Sequence, residues 1–497
     1  MKATNPANNT RMIELRVLPA QARSRTFHTT ESIRPRRWHC LLVIGCLLPV
    51  AGCVAPPKEP NIKQPTREQV TSPNGGRMVT REWVGGTPAW AAPLLPPKAR
   101  ETLDTEKLRD ADGKPIGVFA HFRLKPERLD SIPWNFPGLW HTKQVTSPQP
   151  GTAPSPPWEG FVDVDAGLTF CDGLKPHARL GTPDPAKEIP GSYVVITHGL
   201  FGSLEGTGME HNVQTLRGAG YHVLAIELRG HGGQEDEPNL KKSMTFGLKE
   251  TADLLAAARW LKTKHGAKRV GLVAYSVSGF ESLLAAWLDA APLPPADAKR
   301  RILKYAPPPT TEPAFNGGMF IISAPVGIQT MSQVLEQRWG TYRAPVKATF
   351  QQMVDKRLRG FEELPPHNIW DFIVPELRRD DCAKAYRSEA KLRADMEWFL
   401  DLQRNNWSVG VRRMEAVRTP ILILSAANDP LATGQDVAEL FARVNNPNIG
   451  VILLNSGGHM GFKSLSADYF YSLMTAFFNP ATAPRRVTPP RRSHSAI

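Results

Sequence analysis

From about residue 190 onward the chain repeats one alternation. A short, uniformly apolar run gives way to a polar stretch containing glycine, then to a longer segment with apolar positions three and four apart. The runs are 192–197, 221–228, 270–275, 319–323, 421–425 and 451–454. They are too short for amphipathic helices and too evenly apolar for half-exposed strands, so they predict strands buried on both faces. Between them, 248–262 carries Leu254, Ala258 and Leu261 at helical spacing, with Gly266 placed to stop the helix. The polar segment leading to Gly220 has room for a helix, an apolar run to Leu288 predicts another, and 465–478 a closing one. Strand and helix in alternation predict an α/β fold with a mostly parallel central sheet and helices on both faces.

Outside this core the pattern is weaker. Residues 76–190 read as an N-terminal extension. It contains a candidate strand at 117–123 and a candidate hairpin joining 161–164 to 168–170. Nearly a hundred residues, 324–419, separate the fourth and fifth apolar runs, too many for a bare loop. They are charged, helix-prone and rich in Trp and Phe. A helical cap over the carboxyl edge of the sheet is the expected arrangement, with a side domain holding its own core as the alternative. The main domain then spans 191–482, and 483–497 reads as a disordered basic tail.

The chain has 497 residues, 41% hydrophobic and 22% charged, a balance that excludes a polytopic membrane protein or a fully disordered chain. The formal net charge of +14 does not indicate nucleic acid. Eight Lys and Arg before residue 54 face only Glu14 and Glu31, and the tail from Arg485 carries four Arg and no acid. Most of the excess therefore lies at the two ends.

The N-terminal end has a specific pattern. Arg34, Arg36 and Arg37 precede a short apolar run from Trp38 to Val50, which ends in small residues. Basic, apolar and small regions in that order describe a secretory signal, and the apolar run is short for a bilayer span. Val50-Ala51-Gly52-Cys53 resembles the lipobox of bacterial lipoproteins. That resemblance implies cleavage after residue 52 and acylation of Cys53, which anchors the chain to a membrane without spanning it. Val54 stands where many inner-membrane lipoproteins have Asp, so the outer membrane, facing the periplasm, is the expected location. About thirty residues precede the basic region, as an early start assignment would produce. Residues 53–75 then read as a flexible tether. Of the remaining cysteines, Cys171 and Cys382 form no metal-ligand spacing, and their pairing is left open.

The candidate chemistry lies at the ends of the predicted strands. Ser276 stands between the third strand and its helix, flanked by small Ala274 and Ser278, with Gly279 beyond. A strained strand-to-helix turn presenting a nucleophilic serine needs small residues at those places. Asp429 follows the fifth strand and His459 the sixth. The order Ser, Asp, His, each just past a strand, would bring nucleophile, orienting acid and general base to one edge. His198 to Ser203, after the first strand, supplies a glycine-containing turn. Its Leu200 N–H, with Val277 N–H, is expected to form the oxyanion hole.

With these motifs in hand, 193–462 resembles the α/β-hydrolases, and HGLFGS, ELRGHG, AYSVSG, ANDP and GGHMGF resemble those of the YheT-like branch. The resemblance implies cofactor-independent, serine-dependent hydrolysis of carboxylic esters, often with short to medium acyl chains, with Ser276, Asp429 and His459 as the triad; the aromatic-rich cap suits a small-molecule ester with an apolar acyl group. It departs from the usual GxSxG at Ala274 and Ser278. An acyltransferase with the same triad, and an inactive binding protein on the same fold, are the alternatives. No GxxxxGK[ST], strand-linked GxGxxG or HExxH occurs, so nucleotide and zinc-protease chemistry have no motif.

Overall fold

The structure, a computed structural model, describes residues 157–479 with gaps at 165–166, 201, 232–243, 291, 332–369 and scattered positions beyond 370, together with the backbone of 104–106 and 119–123. All lie in one compact unit, Pro56–Ile497. The signal segment with Cys53, the tether, the basic tail and the middle of the 324–419 insertion lie outside the described residues.

Ten strands form one sheet. In chain order they are β1 (Asp104–Glu106), β2 (Phe119–Arg123), β3 (Phe161–Asp163), β4 (Ala178–Gly181), β5 (Ser192–Ile196), β6 (His222–Ile226), β7 (Arg269–Tyr275), β8 (Gly318–Ile322), β9 (Ile421–Ala426) and β10 (Ile449–Leu454). Their order across the sheet is β1-β2-β10-β9-β8-β7-β5-β6-β4-β3. From β2 to β6 every pairing is parallel, while the β1–β2 pairing at one edge and the β6–β4 and β4–β3 pairings at the other are antiparallel. The parallel core and its helical cover match the sequence expectation. The expected hairpin does not: β3 pairs with β4, and 168–170 is not a strand. Ala178–Gly181 wins because it also pairs with β6 and buries Ala178 in the core, whereas 168–170 has no strand beside it.

The apolar runs are uniform because both faces are covered. Val195, Leu272, Ile321 and Ile423 point to one side, into a core shared with helices α2 (Glu250–Lys264) and α3 (Val277–Leu288). Val194, Val273, Phe320 and Leu422, their chain neighbours, point to the other. There they meet α1 (Thr207–Gly218) and a closing helix, Ala467–Phe478. Side chains of period two thus fill two cores from one strand. Every residue of α3 is buried, the signature of a helix covered all round.

The insertion lies in sequence between β8 and β9. Its described helices include α4 (Glu389–Leu400) and α5 (Ser408–Ala416). Trp370, Phe399 and Trp407 are buried in the α2–α3 core, and Trp398 packs against it. The Arg413 guanidinium lies 4.0 Å from the Trp287 ring centre, clamping α5 to the end of α3. Residues 332–369, part of the cap expected over the sheet edge at 324–419, lie outside the described residues. Cys171 is a free thiol.

A polar seam runs beneath α3. Arg229, fully buried, donates to Asp253 at 2.8 Å and to Asp172 at 3.0 Å, and Lys249 reaches Asp172 at 2.9 Å. Burial opposes the charge of Asp172, but Arg229 and Lys249 hold its carboxyl down to about 2. This ties the 170–177 segment to the body. Glu281 on α3 has no such relief: both its carboxylate oxygens are buried without a hydrogen-bond partner. Burial, and then Glu250 and Asp253, push its carboxyl well above 4.5 against the pull of Arg229. The folded chain therefore holds a proton on Glu281 that the unfolded chain releases. The contribution of Glu281 to stability is greatest below the ordinary glutamate range and declines as pH rises above it. Glu281→Gln removes this slope. Its melting temperature relative to the parent is expected to rise as pH is raised above the ordinary glutamate range, measured by thermal denaturation.

Candidate active site

Ser276 ends β7 and caps α3 with φ 54° and ψ −121°, a backbone that side-chain-bearing residues rarely adopt. Two bonds hold it there. Its N–H donates to the Ile322 carbonyl at 2.8 Å, extending the β7–β8 ladder, and its own carbonyl accepts from Gly279 N–H at 2.9 Å. The flanking small residues have separate tasks. Ala274 is fully buried beneath the turn. Ser278 accepts from Tyr275 N–H and donates to the Tyr275 carbonyl, each at 2.9 Å. Its hydroxyl therefore ties the turn across, which a glycine at that place would not do. At Gly279 a Cβ would stand 2.8 Å from Ile321 and 2.9 Å from Ala324, so only glycine lets α3 lie this close to β8.

The Ser276 Oγ lies 3.0 Å from His459 Nε2. His459 Nδ1 lies 3.0 Å from each oxygen of Asp429. Asp429 Oδ1 also accepts from Leu431 N–H and Ala432 N–H, both at 2.9 Å. A carboxylate so engaged accepts from Nδ1–H, which leaves Nε2 to accept from the serine hydroxyl. Ser276, His459 and Asp429 are 7%, 6% and 1% exposed, so all three are buried. The three residues singled out from sequence are thus brought together. The sheet order explains how: β9 and β10 lie adjacent on one side of β8, and β7 on the other. The Lys463 ammonium, 5.0 Å from the Tyr275 ring centre, also ties the segment after His459 to the end of β7.

β5 is the other neighbour of β7, so the turn following β5 arrives beside Ser276. A Cβ on Gly199 would stand 2.9 Å from the Ser276 Cβ and 3.0 Å from the Tyr275 carbonyl. Gly202 N–H closes the turn onto the Gly199 carbonyl at 2.9 Å. Leu200 packs against the α2–α3 core and Val277 is fully buried at the first position of α3. A helix start behind the serine and a backbone turn in front of it are suited to stabilising negative charge at a carbonyl oxygen.

Glu227 escaped sequence reading, although the ELRGHG motif contains it. It lies 2.8 Å from His198 and accepts from Leu204 N–H at 3.2 Å, both within the 198–204 turn. The available signal was an acid at the end of an apolar strand, a place where a charge must find partners. Among the described residues, no group of three or more His, Cys, Asp or Glu is arranged to hold a metal ion.

A family profile described as "Alpha/beta hydrolase family" matches residues 194–470, more than half of the chain, and the chain belongs to that family. Similar solved structures include an esterase of Pyrococcus furiosus, 17% identical over 67% of this chain and 98% of its own, with a TM-score of 0.41. Est1E from Butyrivibrio proteoclasticus is 16% identical over 63% of this chain and 96% of its own, with a TM-score of 0.34. An acylaminoacyl peptidase of Pyrococcus horikoshii is 14% identical over 64% of this chain and 41% of its own, with a TM-score of 0.39. No curated protein matches the sequence.

The strain at Ser276 makes a prediction independent of activity. Ser276→Ala and Ser276→Gly both remove the hydroxyl, but only glycine relieves the backbone. The gain from relief, about 1–3 kcal/mol, exceeds the entropy that glycine adds to the unfolded chain, about 0.4–1 kcal/mol. Ser276→Gly should therefore be more stable than Ser276→Ala by about 1 kcal/mol in urea denaturation.

Proposed function

We propose that the protein is a serine-dependent carboxylic ester hydrolase, acting on small-molecule esters and held at a bacterial membrane by an acylated Cys53. The observation that carries the catalytic reading is the continuous line from Ser276 Oγ through His459 to Asp429, each step 3.0 Å, ending on a strained turn.

In this reading His459 Nε2 takes the hydroxyl proton as Ser276 Oγ attacks the ester carbonyl. Asp429 holds the Nδ1–H tautomer and balances the imidazolium. The carbonyl oxygen becomes an oxyanion, met by Leu200 N–H and Val277 N–H. The C–O bond to the alcohol breaks as His459 returns the proton to it, leaving an acyl group on Ser276. Water, deprotonated by His459, repeats the sequence and releases the acid. The Trp- and Phe-rich insertion expected over the sheet edge would suit an apolar acyl group.

The anchor rests on the lipobox-like residues before Cys53. No helix among the described residues is long and apolar enough to cross a membrane. The location proposed is the bacterial cell envelope, at the outer membrane and facing the periplasm.

Purified full-length protein, assayed on p-nitrophenyl esters of graded acyl length, should turn over. Ser276→Ala should abolish turnover and labelling by a fluorophosphonate probe. Asp429→Asn should keep the fold and lower kcat by about 10⁴-fold, because the amide favours the wrong imidazole tautomer. Unchanged activity in Ser276→Ala would overturn the reading. Product analysis with added alcohols separates hydrolysis from transfer to another acceptor. Cys53→Ser should remove radiolabelled palmitate and shift the chain from the membrane to the soluble fraction.

A further inference from the structure

His198 stands two residues beyond β5, buried at the start of the turn that crosses in front of Ser276. Its Nδ1 lies 2.9 Å from the Gly199 carbonyl oxygen. A carbonyl only accepts, so Nδ1 carries a proton and donates it. The same oxygen also receives Gly202 N–H at 2.9 Å. The other ring nitrogen has Glu227 Oε1 at 2.8 Å and Leu228 N–H at 3.2 Å. Glu227 is fully buried, and its second oxygen accepts from Leu204 N–H. One carboxylate therefore lies against both ends of the turn, bonded to Leu204 N–H through one oxygen and at ion-pair distance from the His198 ring through the other. Burial opposes its charge, but His198 and His177 hold it down to about 2, so it is ionised at neutral pH.

The Gly199 carbonyl and the Leu200 N–H belong to one peptide unit. In a trans peptide they point in opposite directions. Two donors on the carbonyl fix the rotation of that plane and draw electrons toward the oxygen, which makes the N–H a stronger donor. A Cβ on Gly199 would meet the Ser276 side chain, so this peptide lies close beside the nucleophile.

We infer that His198, seated against Glu227, is a positioning residue that orients and polarises the Gly199–Leu200 peptide, presenting Leu200 N–H to the oxyanion. This rests on the ester-hydrolase reading above and extends it to a residue pair that touches no substrate. The pair acts only when charge develops on the carbonyl oxygen. Its loss therefore weakens transition-state binding and leaves ground-state binding largely intact.

The test compares Glu227→Gln and His198→Asn with the parent in the full chain. The measurements are kcat and KM on a p-nitrophenyl ester, and the inhibition constant of an alkylboronic acid that forms a tetrahedral adduct on Ser276. The expected result is a fall in kcat of about ten-fold or more, short of the hundred- to thousand-fold loss when a donor is deleted outright. KM should stay within about two-fold, and boronate affinity should fall in step with kcat. A turn that is merely held in shape would instead raise KM and weaken boronate and substrate alike. That result, or unchanged kcat and boronate affinity in folded variants, would overturn the inference. Should His198→Asn fail to fold, the isosteric Glu227→Gln carries the test. Ser276→Ala in parallel separates the two ideas. If it stays active, the hydrolase reading fails; if it is dead while both other variants behave as the parent, only this inference fails.

Discussion

The hydrogen bond from Ser276 N–H to the Ile322 carbonyl imposes the constraint around which the site is arranged. It keeps residue 276 in the β7–β8 ladder while the residue's own φ and ψ already leave the strand. A backbone in that conformation persists only where its surroundings over-determine it. Here they do so by close approach. Gly199 comes from one neighbouring strand, Ile321 and Ala324 press from the other, and the Ser278 hydroxyl ties the turn from within. Each contact depends on a small residue at one position, so the turn is specified by what is missing from its neighbours as much as by the serine.

The chemistry depends on strand ends that are adjacent in space and remote in sequence. The three side chains of the Ser–His–Asp line leave β7, β9 and β10, and the turn in front of the serine leaves β5. Parallel pairing brings all four ends to one edge. Below that edge, charges are buried in compensated groups, such as Arg229 with Asp172 and Asp253. Such groups contribute little net stability but are strongly destabilised when one partner is removed, so they favour a single arrangement of the elements they join.

Much of this was legible because it is local. Six strands declared themselves by uniform apolar runs, a direct result of burial on two faces. Ser276, Asp429 and His459 were legible because each follows such a run and their order is restrictive. What stayed hidden depends on partners far along the chain. Leu168–Phe170 and Ala178–Gly181 are similarly plausible strands by composition, and only the presence of β6 decides between them. Ser278 looked like a departure from the usual glycine; its compensation, a hydroxyl bonded to Tyr275 on both sides, is visible only in three dimensions. Glu227 was hidden for a related reason, since a lone acid in a motif does not announce which turn it holds.

The pairing of β2 with β10 joins residues 119–122 to 451–454, so the β1–β2 pair waits for one of the last parts of the chain to be synthesised before it joins the rest of the sheet. Until then the polypeptide cannot complete that border of its sheet, and high contact order of this kind slows folding. A polypeptide whose closing seam needs its far end stays unfinished until nearly all of it has been made.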